Sequence, residues 1–197
     1  AKAMLDEGVF RDPKPDAIFG IHVGVSSAEA GVITYRANGF MAAADQFRIV
    51  VRGRQTHGAT PWDGVDPIVA ASYVVTGLQT VVSRQSRLTL APAVVTVGIL
   101  QAGVRNNIIP DTAVMMGTIR TFDPAMRDDI HARVKRTAEM IAASQGATAE
   151  VAITRMTPVT ANDAALTARM LPSLRRAAGA ANVREGLPVT GAEDFGF

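Results

Sequence analysis

The stretch DQFRIVVRGRQTHGATPWDGVDPI, Asp45–Ile68, carries the pattern that decides the fold. Its first residues alternate between polar and apolar side chains, which is typical of a half-buried β-strand. A glycine-containing loop follows, and Asp66 and Pro67 then stand where a helix would begin. Because aspartate is a favoured N-cap and proline is favoured at the first helical position, the sequence predicts a helix over Asp66–Gln85.

The segments that follow complete a recognisable order of elements. Apolar and alternating patterns predict strands over Pro92–Leu100 and Thr112–Phe122, a helix over Asp123–Ser144 and a strand over Thr148–Met156. The resulting order, β-α-β-β-α-β, is typical of a ferredoxin-like sandwich, in which two helices cover one face of a four-stranded antiparallel sheet. The sequence therefore predicts a complete α+β domain over residues 44–156.

The flanking segments, 1–43 and 157–197, do not make a domain alone. Their patterns predict short strands and a helix that Pro172 kinks or breaks, over Asp16–Gly24, Gly31–Gly39 and Asn162–Ala180. We expect them to be two pieces of an α/β domain into which the ferredoxin-like domain is inserted. We also expect the chain to be a fragment of a longer protein.

Composition excludes several classes of function. With 48% hydrophobic residues a packed core is expected, and a net charge of only +2 without a basic run argues against nucleic-acid binding. The absence of cysteine excludes disulfides, thiolate zinc sites and a thiol nucleophile within the chain. No apolar run is long enough to span a bilayer, and the first residues do not resemble a signal peptide, so a cytoplasmic protein without a membrane partner is expected.

The three histidines differ in their surroundings. His22 ends the apolar run IFGIHVG, a position where ligand sites collect in α/β sheets, but a core histidine with a satisfied hydrogen bond fits the same pattern. His57 lies in the glycine-containing loop, where it is either an ordinary loop residue or a donor to a developing oxyanion. His131 lies among Asp and Arg on a predicted helix, which indicates a solvated face.

Four further residues are candidates for a site. Asn107 lies in the loop AGVRNNIIPD and is either a turn residue or an amide that binds a carbonyl or carboxylate. Arg120 lies among apolar neighbours in a strand, and either extends from a polar face or binds a carboxylate. Glu193 and Asp194 are adjacent carboxylates in GAEDF, a pattern that a simple turn also explains.

Taken together, the stretches IFGIHVG, GRQTHGATPWDGVDPI, QAGVRNNIIPD and TGAEDFGF resemble the hippurate-hydrolase type of metal-dependent amidohydrolases. This family includes aminoacylases, other N-acyl amino acid amidohydrolases and related carboxypeptidases. The resemblance covers nearly the whole chain in the same order. It implies a ferredoxin-like lid domain, which mediates homodimerisation, inserted into an α/β catalytic domain.

The resemblance also implies roles for individual residues. The family's strand histidine, a metal ligand, falls on His22, and its lid histidine, which acts in the partner's active site, falls on His57. The family's lid asparagine falls on Asn107, while Arg120 lies where a substrate-carboxylate contact is plausible. Glu193 and Asp194 match a motif that lines the metal cleft.

The implied activity is metal-assisted hydrolysis of the amide bond of an N-acyl amino acid or a dipeptide-like substrate. Two divalent metals are expected in each full-length subunit, zinc or manganese ahead of nickel or cobalt. A glutamate would act as general base while His57 stabilises the oxyanion. The chain departs from the family in lacking the other metal ligands and this glutamate, and in having Val25 and Ser26 where a proline is common. We therefore expect it to be inactive alone.

A second hypothesis is a non-catalytic module that dimerises or binds a small molecule. Ferredoxin-like domains pair through edge strands, and the segment PAVVTVGIL, Pro92–Leu100, has almost no charge to prevent such pairing. Metal content and catalytic activity distinguish this module from the hydrolase.

Overall fold

The computed structural model describes residues 1–24 and 29–197 of the chain. The chain divides into two compact units. One unit is formed by Ala43–Met156, and the other by Ala1–Ala42 together with Thr157–Phe197.

The helices and strands of the described residues are numbered in chain order. The α-helices are α1 Lys2–Asp6, α2 Pro67–Ser83, α3 Pro124–Ser144 and α4 Ala164–Ala178. The strands are β1 Ile33–Tyr35, β2 Asn38–Met41, β3 Ala43–Arg52, β4 Thr56–His57, β5 Ala93–Ala102, β6 Ile108–Ile109, β7 Thr112–Thr121, β8 Thr148–Thr157, β9 Thr160–Asn162 and β10 Val183–Glu185.

The unit Ala43–Met156 contains a four-stranded sheet with the order β5-β7-β3-β8. Its central pair, β3 and β7, is antiparallel over ten residues, with Ala43 opposite Thr121 and Arg52 opposite Thr112. On its other side β7 pairs with β5, also antiparallel, and a bulge interrupts that register between Val97 and Ile99. The strand order and the two intervening helices are those of a ferredoxin-like sandwich, so the predicted fold is confirmed.

The core of this unit lies between the sheet and the helices α2 and α3. Alternate residues of β3 point into it, since Phe47, Ile49 and Val51 are almost completely buried. Both helices begin as the sequence predicts: Asp66 accepts hydrogen bonds from the amides of Ile68 and Val69, and Asp123 caps α3 in the same way. The helices contribute mainly alanine, valine, isoleucine and leucine to the core.

A buried ion-pair network connects the sheet to α3. The Asp45 side chain on β3 is fully buried and accepts hydrogen bonds from both Nε and Nη2 of Arg127, the Nε bond being 2.9 Å long. His131 Nε2 lies 2.6 Å from Asp45 Oδ2. The prediction that His131 lies on a solvated face is therefore wrong, because its ring is 13% exposed and faces a buried carboxylate.

Burial alone would raise the pKa of Asp45. The hydrogen bonds and positive charges of Arg127 and His131 outweigh that effect and hold the pKa of this carboxyl below its usual value. The buried charge is thus compensated by its partners within the described residues.

The second unit contains two small sheets, β1 parallel to β10 and β2 antiparallel to β9. Helix α4 is continuous across Pro172, so it is not broken there as one reading of the sequence allowed. The strand predicted over Asp16–Gly24 does not form, since no strand among the described residues pairs with this segment and Ile21 is 96% exposed. An apolar run forms a strand only where a neighbouring strand satisfies its backbone.

None of the helices in the described ranges combines the length and the apolar character that a membrane span requires.

We predict that Asp45→Asn lowers the free energy of unfolding of the Ala43–Met156 unit by about 3 kcal/mol at neutral pH, because a buried ion pair loses one charge. The pKa of Asp45 is lowered in the folded state, so its stabilisation is fully present above the unfolded pKa of about 3.9 and is lost as the pH falls through the folded value. The difference between variant and wild type should therefore shrink in acid. Urea unfolding between pH 7 and pH 3 measures both effects.

Asp128→Asn is the matched control, because Asp128 lies on the surface of α3, the helix that carries Arg127 and His131, and its ion-pair partner among the described residues is the exposed Arg155. Equal stabilities for Asp45→Asn and Asp128→Asn would contradict the assigned role of the buried network.

Candidate active site

A two-residue ladder brings the two predicted functional loops together. Strands β4 and β6 are antiparallel, with Thr56 opposite Ile109 and His57 opposite Ile108. The amide of Gly58 donates a 2.8 Å hydrogen bond to the carbonyl of Asn107. His57 and Asn107, which are 50 positions apart in the sequence, are therefore neighbours in the folded chain.

The His57 loop is closed at its base by a tight backbone contact. Arg54 and Val65 exchange two backbone hydrogen bonds of 2.9 and 3.0 Å. A Cβ atom on Gly53 would lie 2.1 Å from the carbonyl oxygen of Val65, so only glycine fits at this approach. Within the loop, the Thr56 hydroxyl donates to the carbonyl of Thr60 at 3.1 Å.

The loop also orients the imidazole of His57. The backbone amide of Ala59 donates to His57 Nδ1 at 3.1 Å, so Nδ1 is an acceptor. In the neutral ring the proton must then be on Nε2, since each neutral imidazole has one donor and one acceptor nitrogen. The side chain is exposed, and its Nε2–H is consequently an outward-facing hydrogen-bond donor.

Arg120 lies at the opposite end of the same sheet. It faces Ala44 across the β3–β7 pair, whereas the His57 loop follows Arg52 at the other end of β3. The eight residue steps from Thr112 to Arg120 span roughly 25 Å of extended strand. The structure brings His57 and Asn107 together, but it does not bring Arg120 to them within one copy of the chain.

His22 and Glu193 form a separate pair in the second unit. His22 Nδ1 lies 2.7 Å from Glu193 Oε2, although these residues are far apart in the sequence. Glu193 Oε1 accepts the amide of Asp194 at 2.8 Å, which fixes the carboxylate. The His22 ring is half-exposed, and within residues 1–24 and 29–197 its Nε2 has no hydrogen-bond partner.

Among the described residues, Asp194 makes no side-chain hydrogen bond to His22, so it does not share this arrangement. Val25 and Ser26, the departure from the proline expected after His22, lie outside the described residues.

The His22–Glu193 pair has part of what a metal site requires. A carboxylate that accepts one ring nitrogen of a histidine is the usual partner of a metal-ligating histidine, because it fixes the ring and leaves the other nitrogen for the metal. Across residues 1–24 and 29–197, however, no three His, Cys, Asp or Glu side chains form a group that could hold a metal ion. His22 and Glu193 thus fit one ligand position and its support, and a complete site needs further ligands.

Two parts of this geometry carry no signal in the sequence. The β4–β6 ladder is too short to show a period, and the Ala59 amide acts through the backbone, so no residue type reports it. Both were missed for that reason.

The fold and the paired loops define a small α+β domain that presents a histidine and an asparagine at one end of its sheet. Residues 43–145 match the M20 peptidase dimerisation domain, and the chain belongs to this family. The resemblance to metal-dependent amidohydrolases and carboxypeptidases is therefore confirmed at the level of the family.

Two curated relatives are similar over nearly all of the chain. An N-acetyl-L-cysteine deacetylase of Bacillus subtilis is 35% identical over 182 residues, which are 92% of this chain and 43% of the relative. The thermostable carboxypeptidase 2 of Saccharolobus solfataricus is 35% identical over 196 residues, covering 99% of this chain and 48% of that protein. The chain spans about half the length of the curated relatives it matches.

A solved structure supports the same assignment. The crystal structure of a Bacillus subtilis protein described as a dinuclear metal binding peptidase of the M20 family aligns with a TM-score of 0.77 and 31% identity. The alignment covers 99% of this chain and 47% of that one.

We predict that His57 is the Nε2–H tautomer in its neutral form, because Nδ1 accepts the Ala59 amide. Long-range ¹H–¹⁵N correlation spectra of the imidazole should show Nδ1 as the unprotonated nitrogen and Nε2 as the protonated one. The opposite assignment would show that the Ala59 hydrogen bond does not form in solution. His131 in the same spectra provides an internal comparison.

Proposed function

We propose that this protein is a metal-dependent hydrolase that cleaves the amide bond of small N-acyl amino acids or dipeptide-like substrates. The observation that carries the proposal is the outward-facing Nε2–H of His57, held by the Ala59 amide beside the Asn107 loop. The names of the relatives, a deacetylase and a carboxypeptidase, support an amide as the scissile bond.

His57 acts in this proposal as an electrophile and not as a base. A neutral imidazole with its proton on Nε2 donates a hydrogen bond to the oxygen that becomes negative when an amide carbonyl is attacked. Asn107 lies beside it and contributes an amide side chain that binds a carbonyl or carboxylate oxygen of the substrate. The close approach of Gly53 to Val65 closes the base of the His57 loop, and the β4–β6 ladder joins this loop to the Asn107 loop. Both groups are therefore held in place before the substrate binds.

The separation of Arg120 supports a site shared between two copies of the chain. Arg120 is the proposed contact for the substrate carboxylate, yet it lies at the other end of β7, separated from the His57 end of the sheet by roughly 25 Å along the strand. A small amide substrate cannot span that distance. His57 and Asn107 of one copy would therefore act together with Arg120 of another, as expected for a dimer with two-fold symmetry.

The edge of the sheet offers a surface for this homodimer. Strand β5 lies at one edge of the four-stranded sheet, and residues 98–102 of it are exposed. Ile99 and Leu100 are 44% and 45% exposed there, and α2 adds exposed apolar side chains at Ile68, Val69 and Tyr73. An exposed apolar edge strand favours pairing with a second chain.

The proposed metal site uses His22 as a ligand and Glu193 as its support. When bound, a divalent metal supplies Lewis-acid chemistry and lowers the pKa of a water molecule near the scissile amide. His22 would offer Nε2 while Glu193 holds Nδ1, so Glu193 fixes the orientation of the ring. Two metals in each full-length subunit, zinc or manganese, and a cytoplasmic location remain predictions.

In the full natural protein, we predict that His57→Ala lowers kcat by about 100-fold or more while metal content stays unchanged, because one donor to the oxyanion is removed. The measurements are hydrolysis of N-acetyl amino acids and elemental analysis after dialysis. Gln55→Ala, an exposed change in the same loop, is the control. Unchanged turnover in His57→Ala would contradict the proposed role, and a metal-free, inactive wild type would favour the non-catalytic module.

Glu193→Gln in the same protein should weaken metal affinity by about 10- to 100-fold, because the carboxylate that orients His22 is lost. A competition titration against a chelator measures this affinity directly. Glu185→Gln, an exposed carboxylate on β10, should leave the affinity unchanged. Equal metal affinities in Glu193→Gln and wild type would show that Glu193 does not support the metal site.

A further inference from the structure

A cavity of about 470 Å³ opens beside the His57 and Asn107 loops. Its walls include Gly58 from the His57 loop, Ile68 from the first turn of α2, and Ile108 from β6. The remaining wall is the turn from Ala102 to Asn106, which connects β5 to β6. The cavity therefore adjoins the loops that carry His57 and Asn107, since Gly58, Asn106 and Ile108 are their sequence neighbours, although neither His57 nor Asn107 itself lines it.

The turn that lines this cavity is fixed at both ends. Gly103 has a φ of +71°, a conformation that glycine adopts readily and other residues rarely do. At the other end, the Asn107 carbonyl accepts the Gly58 amide at 2.8 Å. Val104 between them is 97% exposed. The turn thus has a defined backbone at both ends and carries an apolar side chain that is left in water in the single chain.

The cavity contains one cationic side chain. Of the described residues that line it, only Arg105 is ionisable, and the apolar walls bring no carboxylate near it. Within residues 1–24 and 29–197, the Arg105 guanidinium has no hydrogen bond or ion pair of its own. Arg127 and Arg155 of this unit have carboxylate partners, whereas Arg120 and Arg136 share with Arg105 the lack of one among the described residues. Arg105 is thus free to bind an anion that enters from outside.

The unpaired guanidinium of Arg105, at the end of an apolar wall, is suited to binding a carboxylate. Guanidinium binds carboxylate through two parallel hydrogen bonds, whereas an uncharged amide in the same place makes weaker ones. The neighbouring Asn106 adds an amide that can donate to the same anion. The cavity walls fit the short apolar chain that would carry this anion.

We propose that the substrates of this protein carry a second carboxylate, in addition to the one assigned to Arg120, and that Arg105 binds it in the cavity. The inference rests on the proposed amide hydrolysis. The second carboxylate is either on the amino acid side chain or at the far end of a dicarboxylic acyl group. Arg105 is then a specificity-determining residue, and it acts from the copy that contributes His57.

Two pairs of isosteric substrates test this assignment in the full natural protein. N-acetyl-L-glutamate is compared with N-acetyl-L-glutamine, and N-succinyl-L-alanine with its terminal carboxamide. The acid of at least one pair should be hydrolysed with a kcat/KM about tenfold above its amide, the difference expected for a hydrogen-bonded charge pair. The pair that shows the preference identifies the position of the second carboxylate.

Arg105→Gln should bring the ratio of kcat/KM for the acid to kcat/KM for its amide close to one. Arg105→Lys should retain part of the preference for the acid. Arg136→Gln removes an equal charge from an exposed position on α3 and should leave the ratio unchanged. Equal rates for acid and amide in the wild type, or a preference that survives Arg105→Gln, would overturn the inference while leaving amide hydrolysis established. If none of the four compounds is hydrolysed, the proposed function is wrong and this inference falls with it.

Discussion

The ten-residue pairing between β3 and β7 is the constraint on which the rest of the structure depends. It places Phe47, Ile49 and Val51 in the core, and a slip of one residue would turn these side chains to the other face of the sheet. The same register fixes Arg120 opposite Ala44 and sends the chain into the His57 loop after Arg52. Burial of the core therefore also sets the distance between the two proposed substrate-binding groups.

Local hydrogen bonds then convert this scaffold into a site with defined chemistry. The β4–β6 ladder joins two loops that would otherwise be independent, and the Ala59 amide determines which nitrogen of His57 carries the proton. None of these contacts requires a charged residue. The charged network at Asp45 lies elsewhere, between β3 and α3, where it connects the sheet to a helix.

The order of elements in the Ala43–Met156 unit could be predicted from the sequence because each element carries its own local signal. The alternation in β3 and the Asp-Pro starts of α2 and α3 are examples. Contacts between distant residues could not be predicted. Asp45 meets Arg127 and His131 across 82 and 86 positions, so the surface pattern around His131 was misleading. The Asp16–Gly24 segment has the composition of a strand, but whether it forms one depends on a neighbouring strand that pairs with it, which composition does not reveal.

The sequence indicated which residue types belong to the candidate site, and the structure adds which of these residues lie next to one another. His57 pairs with Asn107, His22 with Glu193, and Arg120 stands apart from the first pair. That grouping leads to the central claim, a site completed by two copies of the chain. Arg105 lies on the turn that leads to Asn107, so it belongs to the copy that contributes His57 to the proposed site.

The most direct test of this claim is the activity of mixed dimers. The full natural protein carrying His57→Ala and the same protein carrying Arg120→Ala are each assayed alone, and then after dissociation and reassembly in equal amounts. A site shared between copies predicts recovery to about a quarter of the wild-type rate, because half of the dimers are mixed and each has one intact site. A mixture no more active than the separate variants would contradict the shared site.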